Sequence, residues 1–272
     1  MKTTPVLVGS ARRAYQPVLN SLSKNVIQAE YAVRGQIPIR GEEIMNIIKT
    51  ESGHTHYQFA ETTALNIGNP QKVGQGTITY NREVLSGMMY KPLTEMGVLS
   101  DDALKRIEVL STECKSPPGA YTGNSKGWNH VRQTVADFIN RRDGVQDASA
   151  DKIYLTNGAS EGVRLCFQAL LRNSNDGILI PIPQYPLYSA LLTLNGGELL
   201  PYYLDESKNW GLNVEELETM VMKAKEDGFC PRAMVVINPG NPTGQIMGRE
   251  DLEAIVRVCH RENILIMADE VY

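Results

Sequence analysis

The sequence predicts an α/β protein with a mostly parallel sheet flanked by helices. Short runs of consecutive apolar residues alternate with stretches in which apolar residues recur every three or four positions. Strands that are apolar along their whole length belong to sheets that are covered on both faces, and amphipathic helices are the elements that cover them. The composition, with 42% hydrophobic and 21% charged residues in 272, is ordinary for a globular protein.

Each predicted strand is a short apolar run bounded by polar or turn residues. The runs fall at residues 153–155, 177–180, 199–204, 233–237 and 264–268. Pro201 is expected to interrupt the third run near its start, because proline lacks the N–H that a central strand needs. The last run is apolar throughout and is therefore expected to lie in the interior of the sheet.

The helices between these runs are predicted by apolar stripes of helical period. Asn213, with Glu216 three residues later, resembles a capping box and predicts the start of one helix. Arg141 and Arg142, followed by Gly144, predict the end of another. The stripes are Val131, Val135, Phe138 and Ile139; Val163, Cys166, Phe167, Leu170 and Leu171; Leu217, Met220, Val221 and Ala224; and Leu252, Ile255, Val256 and Cys259.

The charge and the hydropathy pattern exclude two classes of partner. The 27 basic and 31 acidic side chains give a net charge of −4. With a pI of about 5.7, the chain lacks the basic surface of a nucleic-acid-binding protein. The sequence has no run of about 18 apolar residues, so no membrane span is expected.

The cysteines and histidines show no metal-binding pattern. No C-x-x-C spacing is present, so a zinc site is not expected. His54 and His56 are separated by one residue, with no carboxylate pattern nearby, which favours an exposed loop over a metal pair. Two of the cysteines fall on apolar helix stripes, where a free thiol behaves as a small hydrophobic side chain. The four cysteines are Cys114, Cys166, Cys230 and Cys259.

The residues that follow the strands are the best candidates for a ligand site, because ligands of open α/β sheets collect beyond the carboxyl ends of the strands. The first run is followed by Gly158, Ala159 and Ser160, named here the phosphate turn, and then by a helix. The amides of such a turn suit a phosphate, although the same turn also serves as a plain helix cap. Tyr185, between two prolines after the second run, suits stacking on a planar ligand or packing on the surface.

The last two runs lead into a stiff loop and an acidic segment. Asn238–Gly244 contains two Asn-Pro pairs and two glycines, which predicts a rigid series of turns that fixes the Asn241 amide. Asp269 follows the last run, where a carboxylate is costly unless a cation or a donor pairs with it. A protonated pyridine nitrogen is such a partner. Together, these four features predict a site for pyridoxal 5′-phosphate.

Several segments resemble a known family. The segments Asn238–Gly244 and Asp269–Tyr272 are similar to the signatures of the class I aminotransferases of fold type I. The resemblance runs from about residue 18 to the last residue, and it implies the PLP-dependent transferase fold of type I with pyridoxal phosphate as cofactor. Within that family, the alanine aminotransferase group is resembled by Glu30–Gly35, Asn66–Gln71, Pro181–Ala190, Pro201–Leu212 and Val235–Gln245.

The resemblance implies a role for each matching residue of the cofactor site. The phosphate turn is expected to hold the cofactor phosphate through its backbone amides and the serine hydroxyl. Tyr185 is expected to stack on the pyridine ring, and Asp269 to pair with the ring nitrogen. Asn241 and Tyr272 are expected to hydrogen-bond the phenolic oxygen of the ring.

The resemblance also implies contacts with the substrate and with a second subunit. Gly68 is expected beside the substrate carboxylate. Tyr121 is expected to reach the cofactor phosphate of the neighbouring subunit, because members of the family are homodimers. The Schiff-base lysine and the substrate-binding arginine of the family follow the segment that Asp269–Tyr272 resembles, and no lysine of this chain matches the motif. The chain is therefore expected to be the N-terminal part of a longer enzyme, without a catalytic residue of its own and inactive alone.

The expected organisation is an N-terminal arm with part of the small domain in residues 1–115, and an incomplete large PLP-binding domain in residues 116–272. The expected activity is transfer of an amino group between L-alanine and 2-oxoglutarate. The alternatives are a glutamate:glyoxylate aminotransferase, a PLP-dependent lyase and a non-catalytic PLP-binding regulatory domain.

A cytoplasmic location is expected. The mitochondrial matrix is the alternative, because the first 29 residues contain basic side chains and no acidic one.

Overall fold

The computed structural model of the chain describes residues 22–31, 35–50, 56–65, 67–121 and 123–272. These residues form two compact units. The first comprises the described parts of Met1–Asn66 together with Ala159–Tyr272, and the second comprises those of Ile67–Gly158. The domain boundary predicted between residues 115 and 116 stays a prediction. His54 and parts of the segments Glu30–Gly35 and Asn66–Gln71 lie outside the described residues.

The secondary structure is as follows. The α-helices are α1 (Lys24–Gln28), α2 (Gln36–Ile48), α3 (Thr79–Met89), α4 (Asp101–Cys114), α5 (Asn129–Asp143), α6 (Ala159–Leu170), α7 (Leu187–Asn195), α8 (Val214–Glu226) and α9 (Arg249–Glu262). The strands are β1 (Asp176–Ile182), β2 (Glu198–Asp205), β3 (Gly211–Leu212), β4 (Cys230–Ile237) and β5 (Leu265–Asp269). Short 3₁₀ helices occupy Pro70–Val73, Lys91–Glu95, Ala150–Lys152 and Glu206–Lys208.

The first unit is built on a five-stranded sheet in the order β3-β2-β1-β4-β5. β1 pairs in parallel with β2 and β4, and β4 pairs in parallel with β5, whereas the short β3 is antiparallel to β2. The sheet is therefore mostly parallel, as predicted. Because β1, β4 and β5 are neighbours that run the same way, their carboxyl ends lie side by side at one end of the sheet.

Helices cover both faces of this sheet. Ile178 and Ile180 of β1 belong to a core cluster with residues of α6 and α7, whereas Leu179 belongs to a cluster with residues of α8 and α9. All three side chains are at most 1% exposed. Burial on both faces explains why the strand sequences are apolar without alternation, and it confirms the predicted α/β class.

Two local signals at helix ends are confirmed. The Glu216 N–H donates to Asn213 Oδ1 at 3.3 Å, and the Asn213 amide donates to Glu216 Oε1 at 2.9 Å, at the start of α8. At the end of α5, Gly144 adopts a φ of 68°, a left-handed conformation that glycine reaches without strain.

The prediction of a strand at residues 153–155 is wrong. These residues follow a 3₁₀ helix and join no sheet among the described residues, and the Tyr154 side chain is 63% exposed. The Leu155 N–H donates instead to the Lys126 carbonyl oxygen at 2.8 Å, and the Leu155 side chain lies against Gly127. A short apolar run becomes a strand only where a neighbouring strand supplies hydrogen-bond partners, and here a loop supplies the partner.

The positions of Pro201 and of the last strand also differ from expectation. Pro201 lies within β2, in register with Ile180, and does not interrupt it. Since β3 pairs only with Leu204 and Asp205, Pro201 lies where β2 is an edge strand, and an edge tolerates the missing N–H. β5 pairs only with β4 among the described residues, so it is an edge strand there, and Leu265 is 53% exposed.

The predicted helices are present, but some stripe positions face solvent. Cys166 is exposed, and Phe138 and Val256 are 53% and 54% exposed. Cys259 is buried, as predicted. A stripe defines a face of about 100°, so residues at its border fall on either side of the solvent boundary. The buried positions that the stripes missed are Arg132, Ala136, Ala254 and Val258.

A buried carboxylate begins β1. Arg172 donates to the two carboxylate oxygens of Asp176 through Nη2 at 2.7 Å and Nε at 2.9 Å, and the Arg172 backbone N–H donates at 2.8 Å. The Asp176 side chain is 1% exposed. These hydrogen bonds from Arg172 hold the pKa of Asp176 well below its ordinary value in spite of burial.

We expect Asp176→Asn to lower the free energy of unfolding by about 2 kcal/mol, because it removes the charge of a buried carboxylate that accepts hydrogen bonds from Arg172, whose side chain is 58% exposed. Since the pKa is lower in the folded state, this contribution is present above pH about 4 and is lost as falling pH protonates the carboxylate. Urea unfolding followed by circular dichroism measures the difference at pH 7 and its decrease in acid. Glu253→Gln, which removes an exposed partner of Arg249 and Arg257, should cost less than about 1 kcal/mol. Equal costs for the two variants would contradict the assignment.

The second unit is helical in its described part. α3 and α4 pack around a small core of Val84, Ala103 and Ile107. In α5, Arg132 is 2% exposed, and its guanidinium donates to the carbonyl oxygens of Gly127, at 3.1 Å, and of Ala150. This arginine therefore connects the loop before α5 to the 3₁₀ helix after it.

No helix in the described ranges combines the length and the apolar character that crossing a membrane requires.

Candidate active site

Three of the predicted site residues follow neighbouring strands. Tyr185 follows β1, Asn241 follows β4, and Asp269 is the last residue of β5. The strands are parallel neighbours, so the three residues lie at the same end of the sheet. The Asn238 N–H donates to the Asp269 carbonyl oxygen at 3.1 Å, which ties the loop after β4 to the end of β5.

Asp269 is oriented by two donors. The Tyr188 hydroxyl donates to Asp269 Oδ2, and the Val271 N–H donates to Asp269 Oδ1 at 3.2 Å. Burial, followed by the hydrogen bond to Asp269, raises the pKa of Tyr188 far above its ordinary value, so its hydroxyl stays a donor. Asp269 itself is only partly buried. Its carboxylate is therefore held in place and remains accessible.

Asn241 and Tyr272 are brought together, as the shared role assigned to them requires. Asn241 Nδ2 donates to the Tyr272 hydroxyl at 3.4 Å. The loop that carries Asn241 is fixed from both sides, because the Met247 N–H donates to Asn238 Oδ1 at 3.0 Å and the Gly240 N–H donates to the Gln245 carbonyl oxygen at 2.9 Å. The Asn238-Pro239 and Asn241-Pro242 peptide bonds are cis.

Tyr185 is contacted by a residue from the N-terminal segment. The hydroxyl oxygens of Tyr31 and Tyr185 lie 2.6 Å apart, so one hydroxyl donates to the other. The two rings meet edge to face, with centroids 6.2 Å apart. Helix α1, just before Tyr31, packs on α7, and Asn25 Nδ2 donates to the Leu194 carbonyl oxygen at 3.4 Å. The segment from α1 to Tyr31 therefore supports the Tyr185 loop.

The phosphate turn leads directly into a helix. Gly158 has a φ of 79°, and a Cβ added there would meet no atom within 4 Å, so the turn is open on that side. Helix α6 begins at Ala159, and Ser160 is exposed. The N–H groups of the first helical turn have no acceptor within the helix and favour an anion.

One cavity connects the start of α6 with the aspartate. It has a volume of about 540 Å³, and its lining includes Ala159, Tyr188 and Asp269. The helix start and the carboxylate thus face a common space. Among the described residues that line this cavity, none is a lysine.

Gly68 and Tyr121 belong to the second unit, as Gly158 does. The Tyr121 side chain is fully exposed, and Gly68 has no atom within 4 Å of an added Cβ. The roles predicted for Gly68, at the substrate, and for Tyr121, at a neighbouring subunit, stay predictions.

Two residues of the site were missed by the sequence patterns. Tyr188 lies three positions after Tyr185 in a mostly apolar helix, which predicts a core residue and gives no hint of its hydroxyl contact. Tyr31 lies 154 residues from Tyr185, and no local pattern connects them. Neither contact therefore had a signal in the sequence.

The loops at this end of the sheet also contain buried polar atoms that the described residues leave without a hydrogen bond. They are Gln184 Oε1, next to Tyr185, and Gln245 Nε2, in the loop that carries Asn241. Unsatisfied buried polar atoms are rare in proteins, and their position in these two loops is compatible with a polar ligand nearby.

A mostly parallel sheet covered by helices, with polar loop residues beyond the carboxyl ends of its strands, is the arrangement in which open α/β proteins place their ligand sites. Residues 100–272 match the family model described as aminotransferase class I and II. The chain belongs to this family.

Several individual aminotransferases are similar to this chain. Alanine aminotransferase 2 of Panicum miliaceum is 44% identical over 259 residues, which cover 93% of this chain and 53% of that protein. Glutamate–glyoxylate aminotransferase 1 of Arabidopsis thaliana is 40% identical over 257 residues, covering 93% and 51%. A solved alanine aminotransferase from Pyrococcus furiosus superposes with a TM-score of 0.65 at 25% identity, over 92% of this chain and 52% of that one. The chain spans about half the length of these relatives.

Proposed function

We propose that this chain carries the pyridoxal phosphate site of an alanine aminotransferase, an enzyme that moves an amino group between L-alanine and 2-oxoglutarate. The observation that carries the proposal is Asp269, whose carboxylate is oriented by Tyr188 and Val271 and faces the same cavity as the start of α6. A carboxylate and a helix N-terminus around one space suit a ligand with a cationic ring at one end and a phosphate at the other.

The residues present fit this cofactor. The open side of Gly158 and the first turn of α6 would take the phosphate, and the partly exposed ring of Tyr185 would stack on the pyridine. Asn241 and Tyr272, already within hydrogen-bond distance of each other, would share the phenolic oxygen. Asp269 would pair with the ring nitrogen.

When bound, pyridoxal phosphate supplies an aldehyde that reacts with amines and a ring that accepts an electron pair from the substrate. The residues of this chain would hold the ring in one orientation, and the negative charge of Asp269 would keep a proton on the ring nitrogen. No lysine among the described residues lines the cavity, and we propose that the lysine and the arginine used for catalysis are not among these 272 residues.

Binding of pyridoxal phosphate to the purified chain tests the proposal. Titration monitored by tryptophan fluorescence should show saturable binding of one molecule per chain. Pyridoxal, which lacks the phosphate, should bind more weakly, because it cannot use the phosphate turn. Equal binding of the two compounds, or no saturable binding of either, would contradict the proposed site.

The alternative substrate class is that of a glutamate:glyoxylate aminotransferase, which the similarity to the Arabidopsis thaliana protein supports. The stable conjugates N-(phosphopyridoxyl)-L-alanine and N-(phosphopyridoxyl)glycine differ by one methyl group and need no catalytic lysine to bind. We expect the alanine conjugate to bind more tightly, since filling a methyl-sized pocket is worth about 1 kcal/mol. Tighter binding of the glycine conjugate would favour the glyoxylate enzyme.

The assembly and location of the enzyme follow from the same proposal. We propose a homodimer in which Tyr121 of one subunit reaches the phosphate site of the other, with sedimentation analysis of the chain, with and without cofactor, as the test. The proposed location is the cytoplasm. The mitochondrial matrix is the alternative, because alanine aminotransferase relatives from Arabidopsis thaliana, Dictyostelium discoideum and Saccharomyces cerevisiae are named as mitochondrial.

Tyr31→Phe should weaken pyridoxal phosphate binding about threefold, because one neutral hydrogen bond that restrains the Tyr185 ring is worth about 0.5–1 kcal/mol. The dissociation constant from the fluorescence titration measures this. Tyr203→Phe, which removes an exposed hydroxyl on β2, is the matched control and should change nothing. An unchanged dissociation constant in Tyr31→Phe would mean that the contact does not restrain the ring.

A further inference from the structure

Tyr188 connects the hydrophobic core to the carboxylate at the end of β5. Its ring belongs to the core cluster that contains Phe167 and Ile178, and its centroid lies 6.3 Å from that of Phe167. The side chain is 1% exposed, so packing fixes the ring and leaves the hydroxyl little choice of direction. That hydroxyl donates to Asp269 Oδ2.

The other carboxylate oxygen of Asp269 is fixed as well, because it accepts the Val271 N–H at 3.2 Å. An ionised carboxylate offers about four lone-pair sites, so two donors leave room for another. Asp269 and Tyr188 both line the cavity that reaches Ala159. The remaining lone pairs are therefore available to a donor on a ligand in this cavity.

The hydrogen bond from Tyr188 to Asp269 does more than give a buried hydroxyl an acceptor. Tyr202, which is equally buried, donates to the Val235 carbonyl oxygen at 2.7 Å within the sheet. Asp269, in contrast, is partly exposed and would find water without Tyr188. What the Tyr188 hydroxyl adds is a fixed orientation of the carboxylate, because a hydrogen bond from a charge-assisted donor is directional.

We propose that Tyr188 is a positioning residue that holds the Asp269 carboxylate directed at the protonated nitrogen of a bound pyridine ring. This inference rests on the proposed cofactor site and adds to it a residue that acts through Asp269. The raised pKa of Tyr188, caused first by burial and then by its bond to Asp269, agrees with a phenol that keeps its proton throughout the physiological pH range.

The test compares two ligands on the 272-residue chain: pyridoxal phosphate, and 1-deazapyridoxal phosphate, in which a C–H replaces the ring nitrogen. Tyr188→Phe should weaken binding of pyridoxal phosphate about tenfold, since one charge-assisted hydrogen bond is lost, and should leave binding of the deaza compound unchanged. Tyr202→Phe removes an equally buried hydroxyl and should leave the ratio of the two affinities as it is. In an Asp269→Asn background, Tyr188→Phe should no longer affect that ratio.

The affinity ratio is measured on one protein sample, so partial unfolding of a variant does not change it. If the affinity ratio in Tyr188→Phe stays at the value of the unmodified chain, whether or not both affinities fall, the positioning role is overturned and the cofactor site still stands. Failure of the unmodified chain to bind pyridoxal phosphate would overturn the proposed site and this inference together.

Discussion

Asp269→Asn should reduce the affinity for pyridoxal phosphate about a hundredfold, because removing one member of a desolvated charge pair costs several kcal/mol. Asparagine has nearly the same shape, and its Oδ1 can still accept a hydrogen bond from Tyr188 or Val271. The fold should therefore be retained. What is lost is the negative charge that would keep a proton on the ring nitrogen. Equilibrium dialysis gives the dissociation constant, and circular dichroism checks the fold.

The control for this variant is Asp227→Asn, which removes the same charge from an exposed residue at the end of α8 and should leave the affinity unchanged. The absorbance of the bound cofactor as a function of pH provides a second readout. In the unmodified chain the ring nitrogen should stay protonated to higher pH than in Asp269→Asn. An unchanged affinity and an unchanged pH profile in Asp269→Asn would remove Asp269 from the assigned role.

Sequence patterns predicted the sheet wherever the strands are buried on both faces. β1 and β4 are apolar because helices cover both of their sides, so a run of apolar residues was sufficient to find them. The same rule failed at residues 153–155, where the apolar run carries no information about whether a partner strand lies beside it. Pro201 was misjudged for a related reason, because the sequence does not tell which stretch of β2 lacks a neighbour.

The sequence could likewise predict some residues of the candidate site and not others. Asp269 and Asn241 could be found because each follows a strand directly, and parallel neighbours bring such positions together at one end of the sheet. The Tyr31 contact joins segments that are distant in the sequence, and it depends on how α1 packs on α7. The Tyr188 bond depends on the orientation of a single hydroxyl. Contacts of both kinds are set by tertiary packing and leave no periodic trace.

The protein made of these 272 residues should bind pyridoxal phosphate and yet form no pyruvate from L-alanine and 2-oxoglutarate. Transamination requires a base that removes the α-proton of the amino acid. No lysine among the described residues lines the cavity between α6 and Asp269, and no lysine of the sequence stands in a segment that resembles the Schiff-base motif. Pyruvate formation, followed with a coupled dehydrogenase, should equal that of the free cofactor at the same concentration.

Two measurements separate a missing base from a missing cofactor. Exchange of the alanine α-proton in deuterated water, followed by NMR, should proceed no faster with the chain than with free pyridoxal phosphate, while dialysis shows that the cofactor is bound. Borohydride reduction followed by peptide mass spectrometry should mark no single lysine above the others. The expectation is wrong if the chain accelerates proton exchange and Asp269→Asn abolishes that acceleration, because a lysine within these residues would then serve as the base. The lysine marked by borohydride would identify it.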